Sequence, residues 1–367
     1  MRKLLLFIIL AFLLAPHVRA NDAYLTQFNN VGANELFDNL DEKTQDFFNE
    51  YDIDPENYDW VNRLSAKNVF AHVWDVVTSG IKTPFRVGVL IASIIFLSAS
   101  LTAFGLSPQF EIAIYVAVLS IGALIASNVW QSIESSTSAV KACSAFMLAF
   151  VPVFASVLAL SGKAVTAPTM SALLLGVSEM VSFISSFVVL PLMGGYLALS
   201  IGSSVSPLLK NSGIVESVKK LSIWIMSLLG TLFVGVLGIQ TAVNSAADSV
   251  TLRTAKFILG TSVPVAGAAL SEAVSTISAS MGLLRSSIGI YGVVAVAAIL
   301  IPIVIEIILW RVALMIDLSL AELFSLANVT GILKAVDSMF SVLLGVVLTV
   351  GGMFIISLSV IITAGKT

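Results

Sequence analysis

The sequence predicts an all-α, polytopic membrane protein with about seven transmembrane helices, a re-entrant or broken helical element and an internal repeat. Three observations predict it. Of 367 residues, 57% are hydrophobic and only 11% charged, with a mean hydropathy of +1.00, whereas soluble domains carry about 25% charged residues. Runs with few or no charges, long enough to cross the roughly 30 Å hydrocarbon core, recur along the chain. Pro- and Gly-centred triplets also reappear in the same order at a nearly constant offset. The net charge of −3 gives no reason to expect nucleic acid as a partner. The lone Cys143 excludes a disulfide framework or a Cys-based zinc site within one chain.

The N-terminus has the pattern of a secretory signal. Arg2 and Lys3 precede the apolar run 4–14, Pro16 breaks it, and Val18 and Ala20 are small residues at the cleavage positions. The chain from Asn21 is then expected outside the cytoplasm. Residues 21–86 hold 12 of the 22 acidic residues, which agrees with translocation, because Lys and Arg are what hold a segment inside. The run Asp52-Ile53-Asp54-Pro55-Glu56-Asn57 fails as a calcium loop, since Asn57 and Arg63 stand where Gly and Glu are required. Phe70, Val73, Trp74 and Val77 follow helical spacing and predict an interfacial helix before the first span.

The spans are expected at 87–106, 112–130, 142–161, 181–209, 221–240, 288–310 and 339–362. The stretch 181–209 contains Pro191, Gly194 and Gly195, so it reads as a tilted, kinked span or a hairpin. Residues 256–289 differ from the rest. Gly, Ala, Ser and Thr crowd them, Pro264 and Gly267 interrupt them, and Glu272 and Arg285 lie within them. Small residues let helices approach closely, and a broken helix at membrane depth is tolerated only under cover of protein or water. This stretch is therefore expected to be an inner element shielded by the other segments.

Val151-Pro152-Val153 recurs as Val263-Pro264-Val265, Leu190-Pro191-Leu192 as Ile301-Pro302-Ile303, and Gly213-Ile214 as Gly331-Ile332. The expected organisation is a signal peptide (1–20), an acidic extracytoplasmic segment (21–86), an accessory transmembrane pair (87–139) and two membrane repeats (140–245 and 246–367). Whether the repeats are parallel or inverted depends on whether an even or odd number of crossings separates equivalent points. The Gly-Ile elements read either as short interfacial helices or as polar starts of the next span.

Little in the chain suggests chemistry. His17 leaves with the signal and His72 has no histidine partner in a zinc-binding motif. Gly365-Lys366-Thr367 resembles the end of a phosphate loop, but Val360 replaces its first Gly. No catalytic set, metal or cofactor is expected. Candidate functional or packing residues at membrane depth are Glu179, Glu272, Arg285, Glu306, Arg311 and Asp317, with Pro264, Gly267 and Pro302 as helix interruptions. A charge at that depth is costly and by default faces protein or water.

Residues FILGTSVPVAGAALSEAVSTISASMGLLRSSIG, the Gly-Lys-Ala-Val-Thr-Ala-Pro loop at 162–168, the signal and the acidic ectodomain together resemble the stage III sporulation protein AE family. The resemblance implies a multi-pass protein of the mother-cell membrane surrounding the forespore. It also implies membership of a channel complex needed after engulfment. Its partners would be the other membrane subunits and the lipid bilayer, and a homo-oligomer is compatible with it. The repeat and the broken helices allow a different reading, a secondary transporter or permease of a small solute.

Overall fold

The computed structural model describes residues 20–56, 60–63, 66–103, 108–161, 163, 165–205, 212–262 and 267–364. Every regular element among them is helical. They are α1 (Ala20–Asn30), α2 (Glu42–Glu50), α3 (Trp60–Arg63), α4 (Ala66–Gly80), α5 (Lys82–Ala103), α6 (Pro108–Leu160), α7 (Thr166–Ile184), α8 (Leu190–Val205), α9 (Ser212–Ser262), α10 (Gly267–Leu323) and α11 (Ala327–Ala364). A 3₁₀ turn (Ala33–Glu35) follows α1, and a π-helical turn (Ser185–Val189) joins α7 to α8.

Six helical runs are long and apolar enough to cross a membrane: Lys67–Leu101, Ile114–Leu160, Thr166–Gly202, Glu216–Gln240, Met281–Leu323 and Ala327–Ser359. The expectation is about seven, and the difference from six arises at α6. The runs 112–130 and 142–161 belong to one 53-residue helix. Between them lies Gln131-Ser132-Ile133-Glu134-Ser135-Ser136-Thr137-Ser138-Ala139-Val140-Lys141, which is polar but has neither Pro nor Gly. Polarity alone does not end a helix. At about 1.5 Å per residue, α6 is about 80 Å long, more than twice the hydrocarbon thickness.

Of the stretch 181–209, the described residues 181–205 form one helical run with a π-helical turn in it. The π-helical turn sits immediately before Pro191, whose ring removes a backbone donor and crowds the preceding turn. The descent from α4 to α5 is nearly continuous, because Ile81 donates to the Val77 carbonyl and Phe85 to the Ile81 carbonyl, at 3.0 and 3.2 Å. Pro84 sits in the first turn of α5, where its missing N–H is tolerated. Both Gly-Ile elements lie near the beginning of long helices, α9 and α11, which run unbroken into their spans.

The side-chain pairings fix the directions. From α10 to α11, contacts descend one helix as they climb the other: Lys334 with Glu322 at 2.8 Å, Phe340 with Trp310 at 5.9 Å between ring centroids, and Leu300 beside Gly351. These two helices form an antiparallel hairpin. Its turn is a Schellman cap, in which Leu326 donates to the Ala321 carbonyl and Ser325 to that of Glu322, both at 3.0 Å, with Ser325 at φ 54°. Leu326 is buried, which gives the cap its apolar contact. The α6–α10 pair is also antiparallel, as Ser132 meets Glu306 and Phe146 meets Tyr291. Trp130 beside Gly194 and Ser144 beside Ser178 make the α7–α8 run antiparallel to α6.

Helices α9 and α11 are parallel. Lys219 donates to Ser338 at 3.2 Å, and Gly230 faces Thr349, eleven residues further along both helices. The residues in contact are 119 apart, close to the offset of 118 between Gly213 and Gly331. These two helices therefore lie side by side and parallel, at close to the offset that separates the two Gly-Ile elements. Gly80 beside Leu309, Gly88 beside Asp317 and Phe96 beside Phe324 likewise make the α4–α5 run parallel to α10. The six runs thus alternate in direction, and the start of α4 and the end of α11 lie at the same end of the bundle.

The core is built on α6, α10 and α11, with Phe146, Phe150, Tyr291, Phe340 and Phe354 all fully buried. Helix α9 is peripheral and presents Trp224, Leu228, Leu232, Val236 and Ile239 outward, as a lipid-facing helix does. Phe70 and Trp74 stack on the outer side of α4. The acidic N-terminal segment is a small head seated on the start of the α10 span. Trp60 Nε1 donates to Ser287 Oγ at 3.0 Å, and Phe48 and Trp60 both meet the Tyr291 ring edge-on.

Candidate functional site

The structure separates the expected site residues. Pro264 lies outside the described residues, and of Gly267 and Glu272 only the helical position in α10 is described. Arg285 is buried near the head, with Nε lacking a hydrogen-bond partner among the described residues. Glu179 is exposed on α7 beside the equally exposed Met180. Pro302 lies within α10, four residues before Glu306. Arg311 does not reach for the membrane surface. Its Nε donates to Asp337 Oδ1 at 2.9 Å across the α10–α11 hairpin. Asp317 is 2% exposed and closes against Gly88, where a Cβ would stand 3.3 Å from Oδ2.

Among the described residues, close backbone approaches lie at the far end of the small-residue stretch and beyond it. A Cβ on Gly292 would lie 2.7 Å from two ring carbons of Phe150, and Gly289 meets Ile362 at still closer range. The tight seam is therefore α6 against α10 and α10 against α11.

Glu306 is where an expected residue joins a larger polar arrangement. Ser132 Oγ, fully buried on α6, donates to Glu306 Oε1 at 2.8 Å. From there a polar stripe climbs α6. Ser136 and Thr137 return their hydroxyls to the Ser132 and Ile133 carbonyls, at 2.7 and 2.8 Å. Glu134 and Lys141 are exposed on the same helix. The Lys141 ammonium lies 5.7 Å from the centre of the Phe187 ring, near enough for a cation–π attraction. On the α7–α8 run, the buried Ser178, Ser185 and Ser186 hydroxyls lack hydrogen-bond partners among the described residues. The π-helical turn carries two of them, and such turns are frequent at functional sites. Between α6 and this turn is a cleft of ≈ 420 Å³ bounded by Trp130, Glu134, Lys141, Ser186 and Pro191.

In the head, Tyr24 donates to the Pro55 carbonyl at 2.7 Å. Burial pushes its hydroxyl up from 10.0 to about 12, with the Ser287 hydroxyl pulling the other way and Asp54 reinforcing the rise. It therefore remains a neutral donor throughout the physiological range.

Sequence reasoning missed the polar stripe because it took Glu134 and Lys141 as the ends of two spans. The available signal was the seven-residue spacing between them, two helical turns, in a segment without a helix breaker.

A family model described as stage III sporulation protein AE matches residues 55–365, which takes in all the described helices from α3 onward. Stage III sporulation protein AE of Bacillus subtilis (strain 168) is 28% identical over 227 residues, covering 62% of this chain and 57% of that protein. The match thus spans a little over half of the relative's length. No solved structure matches. With the family model covering residues 55–365, most of the chain, the chain belongs to the stage III sporulation protein AE family.

Proposed function

We propose that this protein is a multi-pass subunit of the membrane complex that joins the mother cell to the engulfed forespore and acts as a channel. The observation that carries the reading is the family match across 55–365, which includes the six candidate spans. Two features support it. Helix α9 is apolar on its outer face, as lipid requires, whereas α6 and α7 expose Glu134, Lys141 and Glu179 within apolar runs. Leaving such a charge against lipid costs on the order of 3 kcal/mol by insertion scales, so these residues face a partner subunit or a water-filled path. The protein has no catalytic role in this reading. It resides in the mother-cell membrane around the forespore, with the head outside the cytoplasm. The alternating runs then put the end of α11 on the same side.

The cleft beside the π-helical turn favours a second reading, a secondary transporter. Against it, the α9 and α11 equivalents are parallel, whereas many transporters are built from inverted repeats. Deleting the coding sequence in the source organism is the first test. Vegetative growth is expected to be normal, with development arrested after engulfment. Normal spore yield, or slow vegetative growth, would overturn the sporulation role.

A further inference from the structure

The cleft on α6 is built for one kind of ligand. Glu134 and Lys141 both line it, seven residues apart, or about 10.5 Å along the helix axis. Thr137 and Ser138 lie between them, and Ser186 closes the opposite wall. The Ser186 side chain is 92% buried, by its 8% exposure, and its hydroxyl has no partner among the described residues. Neither Glu134 nor Lys141 has an ion-pair partner among the described residues. Lys141 is held beside the Phe187 ring, and Trp130 supplies an apolar wall.

We infer that this cleft binds a small zwitterion whose cationic and anionic groups are separated by several bonds. Its ammonium pairs with the Glu134 carboxylate and its acid group with the Lys141 ammonium. Thr137 and Ser138 hydrogen-bond the polar atoms between them. A free ω-amino acid or dipeptide has this chemistry, and so does the phosphoethanolamine headgroup of a lipid. The inference rests on the cleft and not on the channel reading. A channel subunit and a transporter both accommodate such a site, and a binding assay on the purified protein does not depend on partner subunits.

The test uses the full chain purified in detergent and titrated calorimetrically with glycylglycine and 6-aminohexanoate, against hexylamine and hexanoate as singly charged controls. In parallel, native mass spectrometry after reconstitution with phosphatidylethanolamine reports retained lipid. The expected result is that a soluble zwitterion or the lipid binds, and that the singly charged analogues bind at least about tenfold more weakly. Glu134→Gln and Lys141→Met are each expected to weaken the zwitterion by at least about tenfold. The exchange Glu134→Lys with Lys141→Glu is expected to restore binding of the soluble ligand in the reverse sense. Circular dichroism and gel filtration confirm that each variant is folded. Soluble binding identifies a solute site and lipid retention a headgroup site. Failure of both, or binding unchanged in the two single variants, would overturn the inference.

Discussion

Replacing Gly292 with leucine is expected to abolish accumulation of the folded protein. The position has no room for a side chain, since even a Cβ would lie 2.7 Å from Cε2 and Cζ of Phe150. That ring cannot swing aside. It is 1% exposed and lies between Phe146 and Phe154, with ring centroids 5.5 and 5.4 Å away. Overpacking a closed core costs about 1–3 kcal/mol for modest insertions and more for larger ones. Here the wedge would part α6 from α10, the helix on which the head also sits. Gly292→Ala is expected to give an intermediate loss. Gly195→Leu is the control, because nothing lies within 4 Å of a Cβ there. Immunoblotting of membranes and thermal melts in detergent report the order wild type, Gly195→Leu, Gly292→Ala, Gly292→Leu. Gly292→Leu protein present at the normal level would show that the α6–α10 seam is not closed as described.

Charge at Glu306 is expected to matter more to function than to folding. Glutamine at 306 keeps the size and still accepts from Ser132 Oγ, so Glu306→Gln should accumulate normally. Lysine places a donor where the buried Ser132 already donates, and leaves a cation without a partner. That costs more than the roughly 1–3 kcal/mol of an unmet neutral hydrogen bond, and Glu306→Lys should accumulate poorly. The functional expectation concerns the glutamine variant. A carboxylate kept at membrane depth is by default functional, so normally accumulating Glu306→Gln should fail to support sporulation. Wild-type sporulation by that variant would reduce Glu306 to a packing residue.

Much of the fold was legible in the sequence, because apolar runs of sufficient length have few alternatives in a membrane. The helical class follows from that physics, whereas 181–209 could be read as a kinked span or a hairpin, and the Gly-Ile elements as short interfacial helices or as starts of spans. What misled was the habit of ending a span at a charge. Glu134 and Lys141 interrupt the hydropathy of α6 but not its backbone hydrogen bonding, and so one helix was read as two. Orientation was not legible for a different reason. Lys219 and Lys220 lie near the start of α9, whereas Arg285 lies at the opposite end of the bundle. Basic residues at both ends leave little asymmetry for the positive-inside rule to use. The close approach at Gly292 was hidden because a glycine three residues after Gly289 looks no different from the many small residues before it. Only the position of Phe150 on another helix makes it tight.

In the proposed reading, this protein works as one subunit of a larger membrane assembly. Affinity purification of the tagged, full-length protein from sporulating cells, with mass spectrometric identification of what accompanies it, tests this most directly. The account predicts a reproducible set of membrane proteins made only during sporulation, retained through detergent extraction and absent from an untagged control. Purification of the chain without such companions, together with uptake of a solute by the purified protein alone in liposomes, would contradict it and favour a self-sufficient transporter.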